Sequence, residues 1–280
     1  MPSAADLAIG AFRWVEYVGL IDIVGVFVVR RLASNAPGIA WARPPMEPAL
    51  AAALIGGLGV VVAEAFVAGH SLSGAATFIV GGAPGWVRIA RVAAEGLALV
   101  LCLLGRRMVA PAAIFAAASL AFAGHAAGQP QAAGPIFADA LHVLSAGVWA
   151  GGIMALAMVR PPGGWGGEEA RALLVRFGRV ALIAFAVTAM TGVLAAASAL
   201  SYFSDLWTTP YGLVLSVKSA GVVAMVILST LAWRRGLGLV RFEAGIAIVV
   251  IAATAVLAAT PIPPARADGF ITARAAYIRR

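Results

Sequence analysis

Long runs of apolar residues, separated by short polar segments, dominate the pattern along this chain. The runs are rich in Ala, Leu, Val and Gly and lack the two-residue alternation of a barrel strand. A helix needs about 20 residues to cross a hydrocarbon core, and there it satisfies its own backbone hydrogen bonds. The pattern therefore predicts about eight transmembrane helices. They cover residues 8–30, 48–69, 86–105, 109–126, 136–159, 178–200, 211–233 and 243–260.

The composition strengthens this interpretation. Of 280 residues, 62% are hydrophobic and 11% are charged, and the mean hydropathy is +0.97. Soluble globular domains of this length do not have such a composition. We therefore expect an all-α, polytopic membrane protein that lies in a lipid bilayer. Residues 1–260 would form a single transmembrane helical domain, followed by a C-terminal tail over residues 261–280.

The distribution of charge predicts the orientation. Arg residues cluster after the first, third, fifth and seventh predicted spans, whereas connections 70–85, 127–135 and 201–210 contain no Lys or Arg. The positive-inside rule places the Arg-rich connections in the cytoplasm and both termini outside. The net charge of +8 is explained by these loops, so we do not expect nucleic-acid binding.

A weak internal repeat suggests two halves. Residues 85–91 resemble residues 212–218, with an offset of 127 residues, and both segments open a predicted span. Two halves with an even number of helices would be parallel repeats. We therefore predict two parallel four-helix repeats, over about residues 1–127 and 128–260.

The chain has three histidines, and the predicted orientation brings all of them to the outer face. His70 and His125 end outward-running spans, whereas His142 lies one turn inside the fifth span, on the same helical face as Asp139. Imidazole binds copper, zinc, iron or nickel, and a carboxylate can fix its tautomer. We predict a metal or cofactor site formed by His125, His142, His70 and Asp139. A histidine that caps a helix end explains His70 alone equally well.

Four further residues are candidates for a cavity or relay. Glu64 lies below His70, and Trp149 shares a helical face with His142. Met154 and Met190 fall near the middle of the membrane, where thioethers could pass Cu(I) inward. Methionine more often fills gaps in a core.

Other ionisable residues fall within the apolar runs and need partners. Arg13 and Glu16 are spaced as neighbours on one helix, and so are Arg91 and Glu95. We expect these groups to neutralise one another and so pin helices together.

The run from Asp139-Ala140-Leu141-His142 to Trp149-Ala150-Gly151-Gly152 resembles the copper resistance D (CopD) family of bacterial inner-membrane proteins. Further matching motifs are Gly124-His125-Ala126, Thr191-Gly192, and Thr209-Pro210-Tyr211-Gly212 with Lys218. The resemblance covers nearly the whole chain and is most convincing from about residue 120 to residue 264.

The resemblance implies a multi-pass, eight-helix protein of the bacterial inner membrane, with both termini periplasmic. It also implies copper handling, often with a small periplasmic copper carrier of the CopC type. By this resemblance His125 and His142 are the first candidates for copper ligands, and His70 and Asp139 come next.

Three functions remain open. The first is copper transport from the periplasm, with copper bound as Cu(I) or Cu(II). The second is binding of a b-type haem with histidine axial ligands, and the third is docking of a periplasmic copper carrier without transport. We find no nucleotide-binding motif and no hydrolase motif, so we do not expect an enzyme.

Overall fold

Every regular element in the described part of the chain is helical. The computed structural model describes residues 4–69, 71–122, 125–128, 131–235 and 239–263. The expected all-α class is therefore confirmed within these ranges. His70 lies outside them, as does most of the tail over residues 261–280.

The first half of the chain contains five α-helices. They are α1 (Ala4–Ser34), α2 (Glu47–Gly69), α3 (Leu72–Val80), α4 (Gly82–Leu103) and α5 (Val109–Ser119). Short 3-10 turns follow α1 (Pro37–Ile39) and α5 (Leu120–Phe122).

The second half opens with a 3-10 turn at His125–Gly128. Its helices are α6 (Ala133–Ala146), α7 (Gly152–Met158), α8 (Glu168–Ala199), α9 (Asp205–Thr208), α10 (Pro210–Arg235) and α11 (Val240–Ala259). A single π-helical turn, Gly147–Gly151, joins α6 to α7 and is called the π turn below.

Five helical segments of the described chain are long and apolar enough to cross a membrane. They are Glu47–Ala68, Ala133–Met158, Glu168–Ala199, Pro210–Leu231 and Val240–Ala259. Helices α1 and α4, with 31 and 22 residues, are also long, but charged side chains interrupt their apolar sequence. These findings are consistent with a polytopic membrane protein, and the number of eight spans stays a prediction.

Two boundaries differ from the sequence prediction. Helix α3 occupies part of the connection predicted over residues 70–85, and α8 begins at Glu168, ten residues before the predicted span at 178. The apolar-length criterion excluded the charged first turns of α8, although Glu168 and Glu169 suit the positive end of a helix dipole.

Helix α1 lies at the centre of the packing. It contacts α2, α11, the π turn and α7. A Cβ atom at Gly25 would overlap the backbone of Gly151, and one at Gly19 would overlap the backbone of Ala53. The absence of side chains at these glycines lets α1 approach its neighbours backbone to backbone.

The π turn interrupts the span that the sequence predicted as one helix over residues 136–159. It buries Trp149, whose ring meets Phe185 of α8 edge to face with centroids 4.8 Å apart. Trp149 therefore contributes to packing between α8 and the π turn.

The two segments of the predicted repeat both lie near the start of a helix, α4 for residues 85–91 and α10 for residues 212–218. The two segments of a structural repeat must occupy equivalent positions, and these two segments do. The parallel arrangement of two four-helix halves stays a prediction.

Candidate functional site

Polar side chains connect α6 to α8 around His142. The Nδ1 atom of His142 lies 3.1 Å from the backbone oxygen of Thr188 and 3.0 Å from Oγ1 of Thr191. One turn along α6, Ser145 accepts a hydrogen bond of 2.8 Å from the Thr188 hydroxyl. The imidazole is thus fixed against α8 by contacts on one of its two nitrogens.

These contacts determine the tautomer of His142. A carbonyl oxygen only accepts hydrogen bonds, so Nδ1 must carry the proton that it donates to Thr188. The Thr191 hydroxyl directs its own hydrogen to the Val187 oxygen at 2.7 Å, which leaves its oxygen as an acceptor for Nδ1. In the neutral ring, Nε2 therefore keeps its lone pair, which is the form in which an imidazole binds a metal.

Gly192 makes room for the ring. A Cβ atom at this position would lie 3.3 Å from Cε1 of His142, closer than ordinary van der Waals contact. The Thr191-Gly192 pair therefore supplies both an acceptor for the ring and the space it occupies.

Charged and phenolic groups from other helices surround Asp139. Asp139 interacts electrostatically with Lys218 and Tyr211 of α10 and with Tyr17 of α1. Lys218 in turn lies within electrostatic range of His142. We call Asp139, His142, Thr188, Thr191 and Lys218 the His142 cluster. It combines one carboxylate, one imidazole and one ammonium group.

Sequence reasoning predicted Asp139 and His142 but assigned no role at the site to Thr188, Thr191, Tyr211 or Lys218. A signal existed for three of them, because Thr191, Tyr211 and Lys218 belong to the motifs that carry the family resemblance. Thr188 gave no signal, since its backbone oxygen makes the contact.

The other two histidines are placed less fully. His125 begins the 3-10 turn that packs against α6, the helix that carries His142 and Asp139. His70 lies outside the described residues. Among the residues that the structure does describe, no three His, Cys, Asp or Glu side chains converge on one point where a metal could bind.

Glu64 is held by two arginines. One carboxylate oxygen lies 2.8 Å from Arg13 of α1, and the other lies 3.2 Å from Arg88 of α4. Both oxygens are engaged, so Glu64 joins three helices by ion pairs. Its side chain is 18% exposed.

The charged groups neutralise one another between helices, not between the neighbours that are spaced along one helix. Arg13 binds Glu64 of α2, and Arg91 of α4 lies 2.7 Å from Glu16 of α1. Each arginine thus pairs across a helix interface. Spacing along one helix brings two side chains to one face, but it does not decide whether a neighbouring helix offers a closer partner.

The two candidate methionines lie in different surroundings. Met154 is buried, whereas Met190 is 59% exposed on the outside of α8. The structure does not bring these two thioethers together in the interior.

Part of the chain is similar to the copper transport protein CutJ of Bacillus subtilis (strain 168). The two are 33% identical over 158 residues, which represent 51% of this chain and 28% of the relative. The chain thus spans under a third of that relative's length. No family model matches the chain, and no solved structure matches it. The apolar helices and this partial similarity together suggest a helical membrane protein with a copper-related role.

Proposed function

We propose that this protein is a copper-handling protein of the bacterial inner membrane, which accepts copper at its periplasmic face and passes it inward. The observation that carries the proposal is the pair of contacts at Nδ1 of His142, which leaves the Nε2 lone pair available to a metal. The partial similarity to a copper transport protein supports copper as the metal.

His142 is the first ligand in this proposal, and His125, His70 and Asp139 complete the site. The 3-10 turn that begins at His125 already packs against the helix of His142. Three imidazoles and a carboxylate suit Cu(II), and two or three imidazoles can also hold Cu(I). Lys218 opposes the arrival of a cation at His142, and the negative charge of Asp139 offsets it.

The proposal includes eight spans with both termini periplasmic. Helices α1 and α4 would cross the membrane together with the more apolar helices. Four of their charged side chains support this, because Arg13 and Arg88 pair with Glu64 of α2, and Arg91 pairs with Glu16, across helix interfaces, as charges within a bilayer need partners.

Replacement of His142 tests the site. We expect His142→Ala to abolish bound copper in protein purified in lipid nanodiscs, because the oriented ligand is lost. Copper per protein is measured by atomic emission after equilibration with the metal. Leu141→Ala is the matched control, since Leu141 is the adjacent residue of α6 and is partly exposed. Unchanged copper content in His142→Ala would refute the proposed ligand.

Three further measurements separate the alternatives. Copper uptake into proteoliposomes above that of protein-free vesicles supports transport. Binding without uptake, together with capture of a CopC-like carrier, would support docking alone. A Soret band in the purified protein that is lost in His142→Ala would replace copper with a b-type haem.

A further inference from the structure

Two carboxyl groups and one arginine are buried together between α1 and α4. Glu16 and Glu95 are each 1% exposed and Arg91 is 3% exposed, so the protein shields all three residues almost completely from solvent and lipid. We call them the inner triad. They lie apart from the His142 cluster, and the proposed copper chemistry does not use them.

The Glu95 carboxyl group lacks a hydrogen-bond donor. Neither of its oxygens accepts a hydrogen bond from any residue that the structure describes. It lies instead within hydrogen-bonding reach of the Glu16 carboxyl group, and its Oε2 lies against Gly57 of α2, where a Cβ would overlap it. Two carboxylates are both acceptors, so this contact becomes a hydrogen bond only when one of them carries a proton.

The net charge of the inner triad also requires that one of its carboxyl groups carries a proton. Arg91 Nε lies 2.7 Å from Glu16 Oε1, although the N–H group is not directed at that oxygen. With both carboxyl groups ionised the inner triad has a net charge of −1, which is costly in a buried site. One proton makes it neutral.

Arg13, Glu64 and Arg88 together carry a charge of +1 and lie near the inner triad, where Arg13 and Glu64 act electrostatically on Glu16. They do not replace the proton, because neither oxygen of Glu95 accepts a hydrogen bond from them. A metal cation fits the pair poorly, because hard cations take about six oxygen ligands and the described residues supply no third carboxylate there.

We propose that Glu16 and Glu95 form a binding site for one exchangeable proton at the interface of α1, α2 and α4. A hydronium ion transfers a proton to one carboxylate oxygen, and the proton is shared with the other carboxyl group. One O–H bond forms at the carboxyl group, one breaks in the hydronium ion, and a water molecule is left. The proton enters and leaves past Arg13, Glu64 and Arg88, whose side chains are about one-fifth exposed; Arg13 lies about one helical turn, about 5 Å, from Glu16 along α1.

Infrared spectroscopy of the full-length protein in nanodiscs, without copper, tests this site. We expect a C=O stretching band of a protonated carboxyl group that shifts in heavy water and is lost in Glu95→Gln. Asp22 and Glu243 are further buried carboxyl groups, so the measured quantity is the difference between wild type and variant. Because no copper is present, the result does not depend on the proposed function.

Two variants sharpen the test. Glu168→Gln should leave the band unchanged, because Glu168 is exposed in the first turn of α8 and belongs neither to the inner triad nor to the path of the proton. The double variant Glu16→Gln with Glu95→Gln should lose no more absorbance than Glu95→Gln alone, because Glu16 is then already ionised against Arg91. Loss of a second band would mean that each carboxyl group holds its own proton and would overturn a shared site.

Other outcomes are equally decisive. If Glu95→Gln does not fold, Glu95→Asp keeps the acid and should move the same band to a new frequency. A band that Glu95→Asp leaves unmoved overturns the proposal. A band suppressed by sodium at constant pH would assign the pair to a metal cation instead.

Discussion

At the scale of single residues, His142 shows how a side chain becomes a ligand through its own hydrogen bonds. The backbone oxygen of Thr188 and the hydroxyl of Thr191 occupy Nδ1 and leave Nε2 available. Partners of this kind orient a ligand and raise its affinity for a metal.

Removal of the Thr191 hydroxyl should weaken metal binding without abolishing it. We expect Thr191→Val to lower copper affinity by about tenfold, the smaller end of the effect known for groups that orient a ligand. Isothermal titration with a competing chelator measures the change. Thr254→Val is the matched control, because Thr254 bonds only to the backbone of its own helix, α11. Equal affinities of the two variants would contradict the role of Thr191.

The spacing of three residues predicted that His142 and Asp139 share one face of a helix, and both lie on α6. It could not predict their partners. Thr188 is 46 residues away from His142, and a contact between distant residues depends on how α6 packs against α8. The ion pairs of Arg13 and Arg91 escaped sequence reasoning for the same reason.

At the scale of helices, the length of the apolar runs predicted where the helices lie. It did not predict their exact ends or the irregular turn within one of them. Within the residues that the structure describes, each of the eight predicted apolar runs is mostly helical, because continuous apolar residues in a chain of this composition favour helix. The π turn could not be predicted, since Gly147-Val148-Trp149-Ala150-Gly151 continues the apolar run. A π turn contains one residue more than an α-helical turn. Here that turn packs against α1, which is a tertiary contact that the sequence pattern does not show.

The contact between α1 and the π turn should be sensitive to one methyl group. We expect Gly25→Ala to lower the free energy of unfolding by about 1–3 kcal/mol, because the added Cβ would overlap Gly151 and force the two backbones apart. Thermal unfolding in nanodiscs reports the loss.

Gly10→Ala is the control on the same helix, because a Cβ there meets no atom within 4 Å. It should be neutral or slightly stabilising, as alanine favours helix over glycine. Two variants of equal stability would show that the close approach of α1 and the π turn contributes nothing.

At the scale of the whole molecule, the orientation in the membrane rests on the arginine-rich connections. We expect a cysteine at Ser201 to be labelled from the periplasm and a cysteine at Arg107 from the cytoplasm. Ser201→Cys and Arg107→Cys, each made together with Cys102→Ser, are treated with an impermeant maleimide in spheroplasts before and after lysis. Both positions are exposed. Labelling of Arg107→Cys before lysis would reverse the orientation.

The charged residues of α1 have a consequence for how the chain is made. Arg13 and Glu16 leave the ribosome before their partners, and Glu64 follows Arg13 by 51 residues. A charge without a partner in lipid is costly. If α1 crosses the membrane as proposed, we therefore expect it to integrate stably only together with α2 and α4, so that the first helices enter the bilayer as a group.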